Sequence, residues 1–122
     1  MAAECTVSII AEVTGLGQLQ QLAEKFSVTT TPTAVNYSYI TQTTADTAQI
    51  LELGDVSTVH LIIIKCVSND LSIDTSYVSS FNAEISCQEG EVACFKPSGT
   101  VWVKNEDAGE ASVFEVLVIG VT

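Results

Sequence analysis

Apolar and polar residues alternate with a period of two along most of this chain, the pattern of short β-strands with one covered face and one wet one. In Cys5-Thr6-Val7-Ser8-Ile9-Ile10-Ala11-Glu12-Val13 the odd positions are apolar and most even ones polar, so the chain is expected to open on a half-buried strand. Gly15-Leu16-Gly17 breaks the alternation. Beyond it Leu16, Leu19, Leu22, Ala23 and Phe26 recur at helical spacing, which fits a short helix over Gln18 to Lys25, while the β-branched run Val28-Thr29-Thr30-Thr31 beside it favours extended chain.

Pro32 has no N–H and pushes Thr31 toward the extended region, so it marks a turn or an edge. Val35, Tyr37 and Tyr39 then alternate with Asn36, Ser38 and Ile40, a strand with an aromatic face. Packing inward is the commoner fate of such a face. Thr41 to Thr47 reads as a polar loop, Ala48 to Leu53 as a short strand closed by Gly54-Asp55, and Val59 to Val67 as a strand apolar on both faces, hence covered on both. Strands are expected next at Leu71 to Tyr77, Phe81 to Cys87, Val92 to Phe95, Thr100 to Lys104 and Val113 to Ile119. The turns Ser68-Asn69-Asp70, Glu89-Gly90-Glu91, Lys96-Pro97-Ser98-Gly99 and Glu106 to Glu110 separate them.

Eight or so strands at this spacing, with no repeat and no linker, predict one all-β domain over residues 1–122. The expected fold is an antiparallel β-sandwich, most simply a jelly roll, with residues 1–50 supplying either an arm or edge strands. The length of 122 residues allows one core. No uninterrupted apolar stretch exceeds the four residues of Leu61 to Ile64, far below a helical membrane span, and the start has no basic leader, so a soluble chain made in the cytoplasm is expected.

Composition narrows the partners. There is no arginine, and four lysines stand against fifteen carboxylates for a net charge of −11, which disfavours nucleic acid and anionic membranes. Charged residues make up 16% and apolar ones 47%, a surface poor in ions that raises the odds of faces buried against other subunits. Cys5, Cys66, Cys87 and Cys94 fit neither a CxxC pair nor zinc knuckles, and their strand settings predict small buried hydrophobes in preference to disulfides.

Candidate chemistry is sparse. Histidine chemistry rests on His60, set in the most apolar strand and expected to be a hydrogen-bonded structural residue. There is no G-x-S-x-G turn, and the carboxylates are expected to be solvated loop charges in place of a glycosidase pair. Asn69 to Asp74 and Glu106 to Glu110 concentrate oxygen ligands without matching a calcium-loop motif, and Gly15-Leu16-Gly17 lacks the further glycine and lysine of a phosphate cradle. No cofactor and no metal are expected. Tyr37, Tyr39, Tyr77 and Trp102 are the candidate platforms for a carbohydrate- or ligand-binding module.

From Leu51-Glu52-Leu53-Gly54-Asp55-Val56 and His60-Leu61-Ile62-Ile63-Ile64-Lys65 onward, through the Cys87 to Pro97 segment, Val101-Trp102-Val103-Lys104 and Phe114 to Gly120, the chain resembles small virion proteins of tailed bacteriophages. The resemblance covers about half the chain and rests on pattern. It implies a non-enzymatic jelly-roll protein, often trimeric, that decorates or cements a capsid in contact with the major capsid protein or other virion proteins. The two strands apolar on both faces agree with such a part, and Leu61, Ile63, Val116 and Val118 are its candidate core or subunit-contact positions. The four cysteines and the first fifty residues are where the likeness is weakest.

Overall fold

The computed structural model describes residues 3–28, 31–41 and 47–122. These form ten strands and no helix: β1 (Thr6–Val13), β2 (Gln20–Ser27), β3 (Ala34–Thr41), β4 (Gln49–Ile50), β5 (Thr58–Ser68), β6 (Leu71–Tyr77), β7 (Ile85–Cys87), β8 (Val92–Phe95), β9 (Thr100–Asn105) and β10 (Val113–Val121). Most of the expected Thr41 to Thr47 loop, Thr29 and Thr30 of the β-branched run, and the first two residues lie outside the described residues.

All pairings are antiparallel. One four-stranded sheet has the order β3-β10-β5-β8 and a second the order β4-β9-β6-β7. Except for the step from β6 to its neighbour β7, every connection from β3 to β10 passes from one sheet to the other, which is the winding of a jelly roll. The expected all-β sandwich is what the chain forms, with eight strands in the roll and two more outside it.

The core lies between the sheets. Ile62, Ile64 and Cys66 of β5 and Phe114, Val116 and Val118 of β10 point inward from the first sheet, and they meet Leu71 and Ile73 of β6 and Val101 and Val103 of β9. Each such aliphatic or aromatic side chain contributes about 1.5–3 kcal/mol by leaving water. Val116 and Val118 are thus core positions. Leu61 and Ile63, on the alternate positions of β5, face the other way.

Two details show how closely these sheets are held. The β5–β10 register shifts between Ile119 and Gly120, so that Gly120 pairs with Val59 and His60 is the extra residue of a bulge. A Cβ on Gly120 would stand 2.0 Å from the Thr58 carbonyl oxygen, so only glycine fits. At the corner between β5 and β6, Asn69 takes a φ of 60°, a left-handed conformation that asparagine tolerates.

The opening of the chain departs from expectation in part. Of the two alternatives for Gln18 to Lys25 the extended one holds and not the helix: β2 pairs with β1 over eight residues, from Thr6↔Ser27 to Val13↔Gln20, with no bulge. The helical spacing of Leu19, Leu22, Ala23 and Phe26 yields to pairing: Leu22 and Phe26 share a face with Glu24 between them and stand opposite Ala11 and Val7 of β1. Nor is β1 a half-buried core strand. Of its residues only Val7 is buried, and the hairpin projects from the roll as a separate two-stranded sheet. Phe81 and Ala83 differ too, since they lie in a loop ahead of the short strand β7.

Candidate functional site

The outward face of the β3-β10-β5-β8 sheet carries the least ordinary surface of the molecule. Partners directly opposite in a ladder share a face, so the register defines its rungs. Val35, Ile119 and Leu61 form one; Tyr37, Leu117 and Ile63 the next, continued by Cys94; Tyr39, Glu115 and Lys65 the third, continued by Val92. Val35, Tyr37 and Tyr39 are 64%, 61% and 58% exposed. Their polar neighbours Asn36 and Ser38 are the half-buried ones, and Asn36 Nδ2 donates to Ser38 Oγ at 3.3 Å. On β3 the usual polarity is inverted: the apolar side faces out.

The hairpin presents a second apolar face. Val7, Ile9, Ala11 and Val13 of β1 share a side with Phe26, Glu24, Leu22 and Gln20 of β2, while Ser8, Ile10, Glu12, Gln21, Ala23 and Lys25 occupy the other, more polar one. At the base this face is used: Val7 packs on Leu61 and Ile119 of the outer sheet face, flanked by Cys5, Val28, Ile63 and Leu117. A hydrogen bond from Val28 N to the Cys5 carbonyl (2.9 Å) and one from Ser27 Oγ to Glu4 Oε1 (3.1 Å) close the base. Beyond Val7 the side chains of Ile9, Val13, Leu16, Leu19, Leu22 and Phe26 are exposed. Gly15 and Gly17 turn the tip with φ of 87° and 94°.

The four aromatic platform candidates do not converge. Tyr37 and Tyr39 stand on the first sheet, whereas Trp102 lies on β9 of the second, where it stacks on Tyr77 with ring centroids 4.0 Å apart and planes 16° from parallel. That stack half-buries Trp102. His60 is half-buried at its bulge, and its Nδ1 has no hydrogen-bond partner, contrary to the satisfied structural histidine expected.

Several carboxylates have work inside the fold. Asp74 is 2% exposed and accepts backbone N–H bonds from Ser76 (2.9 Å) and Asn82 (2.9 Å), fixing the loop between β6 and β7. Burial alone would raise its pKa, but the Asn82 and Ser76 donors and the Glu84 side chain outweigh it and leave the carboxyl below its ordinary value. Glu84 Oε1 in turn accepts from Thr75 N, Thr75 Oγ1 and Ser76 Oγ. Across the other turns Glu106 Oε2 accepts from Ser86 Oγ and Gln88 Nε2, and Asp70 Oδ1 from Glu89 N. The two oxygen-rich loops therefore latch turns together, and among the described residues no group of three His, Cys, Asp or Glu is placed to hold a metal.

The cysteines are free thiols. Cys66 and Cys87 are buried as expected, whereas Cys5 is half-buried and Cys94 exposed. Burial, then the neighbouring Cys87, Asp70, Glu89 and Glu106, push the Cys66 thiol up to about 11, and burial raises Cys87 as well.

Comparison with protein-family models, curated proteins and solved structures found no match. The jelly-roll assignment rests on the chain's own strand order. Sequence reasoning had placed Leu61, Ile63, Tyr37 and Tyr39 among its candidates, and all four belong to the outer face. It missed the hairpin residues Ile9, Val13, Leu22 and Phe26, for which the glycine turn Gly15-Leu16-Gly17 after an alternating strand was the one local signal.

Proposed function

We propose that this chain is a non-enzymatic structural subunit that works by assembling, and specifically a virion part, a capsid decoration or cement protein that bears on the major capsid protein or its neighbours. The observation that carries the assembly reading is the inverted strand β3, with Val35, Tyr37 and Tyr39 outward beside Leu117 and Ile63. Contiguous exposed apolar surface of this kind marks an interaction site, and a two-stranded hairpin with an uncovered apolar face is marginal by itself in water. The virion reading draws on the jelly-roll winding, which is common among capsid proteins, and on the resemblance to phage virion proteins. A net charge of −11 suits a part kept away from packaged nucleic acid.

Density-gradient purification of particles from lysates of the producing cells tests this directly. The chain is expected to band with intact particles at a stoichiometry of many copies each. Recovery solely in the free-protein fraction, with particles of full composition lacking it, would sink the virion reading.

A second reading has one observation in its favour: Tyr37 and Tyr39 are exposed two residues apart on one strand face, the spacing of a sugar-stacking platform. Trp102 has no part in it. Glycan binding lost in Tyr37→Ala, with the mass of the protein unchanged, would favour this account over assembly.

A further inference from the structure

We propose that the hairpin β1–β2 of one copy is the knob, and the outer face of the β3-β10-β5-β8 sheet beside β3 of a second copy the socket, of a head-to-tail contact between copies of this chain. The inference rests on the assembly reading above and says which surfaces meet.

Four observations converge on a second copy as the occupant. The first is that the molecule already contains a sample of the contact: Val7, on the apolar face of the hairpin, is seated on Leu61 and Ile119 of the outer sheet face. Ile9, Val13, Leu22 and Phe26 continue that hairpin face, and Leu117, Val35 and Tyr37 continue that sheet face, so the same pairing of surfaces extends outward on both sides but finds no partner among the described residues. Six residues of β1 lie beyond Val7, and at a rise of about 3.3 Å each they carry the tip roughly 20 Å past the anchored base, out of reach of the chain's own sheet.

The second is shape. A groove of about 570 Å3 opens between the base of the hairpin and the β3 edge, with Cys5 and Thr6 on one wall, Pro32 and Val35 on the other, and Leu117 and Ile119 along the floor. It is large enough for two or three aliphatic side chains, and the hairpin tip offers Leu16 and Leu19, which are 78% and 57% exposed.

Charge is the third. A chain of net charge −11 should repel its own copies, yet these two surfaces carry few charges: Glu115 stands opposite Lys65 on the sheet face, the hairpin face holds the one carboxylate of Glu24 opposite Ile9, and Glu4 at the groove accepts from Ser27 Oγ. One of the chain's four lysines, Lys65, lies on the proposed contact, while Asp70, Asp74, Glu84, Glu89, Glu106 and Glu110 belong to turns and strands elsewhere. The fourth is area. The exposed apolar parts of the hairpin and of Val35, Tyr37 and Tyr39 come to roughly 900 Å2 on ordinary side-chain areas, close to the ~1,000 Å2 that a specific interface needs before its polar rim is counted.

Because knob and socket are different surfaces, each copy offers one of each, and the contact passes from copy to copy until a ring closes. Complementation tests this. Leu22→Asp spoils the knob and Tyr37→Asp the socket, both at exposed positions outside the core. The expected result is an oligomer for the wild-type chain by light scattering at 100 µM, monomers for each variant alone, and a two-chain species when the variants are mixed, since one good knob then meets one good socket and the series stops. A variant that retains the wild-type oligomer, a mixture that stays monomeric, or a monomeric wild-type chain would overturn the contact. Should Leu22→Asp fail to fold, Leu16→Asp at the open tip replaces it with the same expectations. A chain that bands with particles yet fails this test would sink the contact and leave the virion reading standing; a ring that never enters particles would do the reverse.

Discussion

Val116 and Leu117 are neighbours on β10 that look in opposite directions, and truncating each to alanine separates folding from assembly. Val116 is 1% exposed and packed in the core between the sheets. Val116→Ala removes two methyl groups, about 1.6 kcal/mol at ~0.8 kcal/mol for each buried carbon. A close-packed site that relaxes only partly adds a cavity term, so the total loss is about 2–3 kcal/mol. For a domain of this size that is a fall in Tm of roughly 8–12 °C. Leu117 sits half-buried on the outer face, between Tyr37 and Ile63, so in an isolated chain Leu117→Ala should cost less than about 1 kcal/mol. The effects reverse in the assembly, where Leu117→Ala should raise the dissociation constant and Val116→Ala should leave it within a few-fold. The assay is thermal unfolding at a concentration where light scattering reads monomer, because association itself raises Tm, followed by a dilution series for the dissociation constant. Equal losses of Tm, or a larger one for Leu117→Ala, would refute the register and the assignment of inner and outer faces.

Other outcomes follow from the same structure. Asp74→Ala should cost about 2–4 kcal/mol, because it leaves the Ser76 and Asn82 N–H groups without their charged acceptor, and a chemical-denaturation midpoint will read it. Since the Asp74 pKa is lowered on folding, its contribution is complete above the unfolded value of about 3.9 and fades as pH falls through the lower folded value; stability that is flat from pH 5 to pH 2 would contradict this. A thiol reagent at pH 8 should label exposed Cys94 in the native protein and leave Cys66 and Cys87 unlabelled until unfolding, since both are buried and the Cys66 thiol, near 11, is about one part in a thousand thiolate there; early labelling of Cys66, read by mass spectrometry, would be the contrary result. Gly120→Ala should lose at least the ~1–3 kcal/mol of an overpacked site, because its Cβ meets the Thr58 carbonyl; a Tm equal to wild type would show the β5–β10 bulge to be misplaced.

Much of the roll was legible in the sequence. Strands β5, β8 and β10 follow from apolar runs bounded by Gly, Pro and Asp turns, and the doubly apolar pattern of β5 and β10 is met by the core on the inner face and, on the outer one, by the hairpin base over Leu61 and Ile119, with Ile63 and Leu117 half-buried. Periodicity was less informative about direction. It states which residues share a face and not which face meets the core, so it predicts β3 as a strand, while the outward turn of Val35, Tyr37 and Tyr39 goes against the commoner arrangement. The same limit hid the site. In Leu19 to Phe26 the apolar spacing is that of a helix, and the decision for strand belongs to pairing with β1, a contact that no local window contains. The separation of Trp102 from Tyr37 and Tyr39 depends likewise on strand order, since β9 and β3 fall in different sheets.

Light scattering of the purified chain, with and without reductant, tests the central claim that this jelly roll is an assembling structural subunit. The account predicts a discrete oligomer, indifferent to reductant because all four cysteines are free thiols, that dissociates when Leu117 or Leu22 is replaced by a charged residue. A monomer that persists to millimolar concentration, with the apolar faces of β3 and the hairpin still open to water, would contradict it.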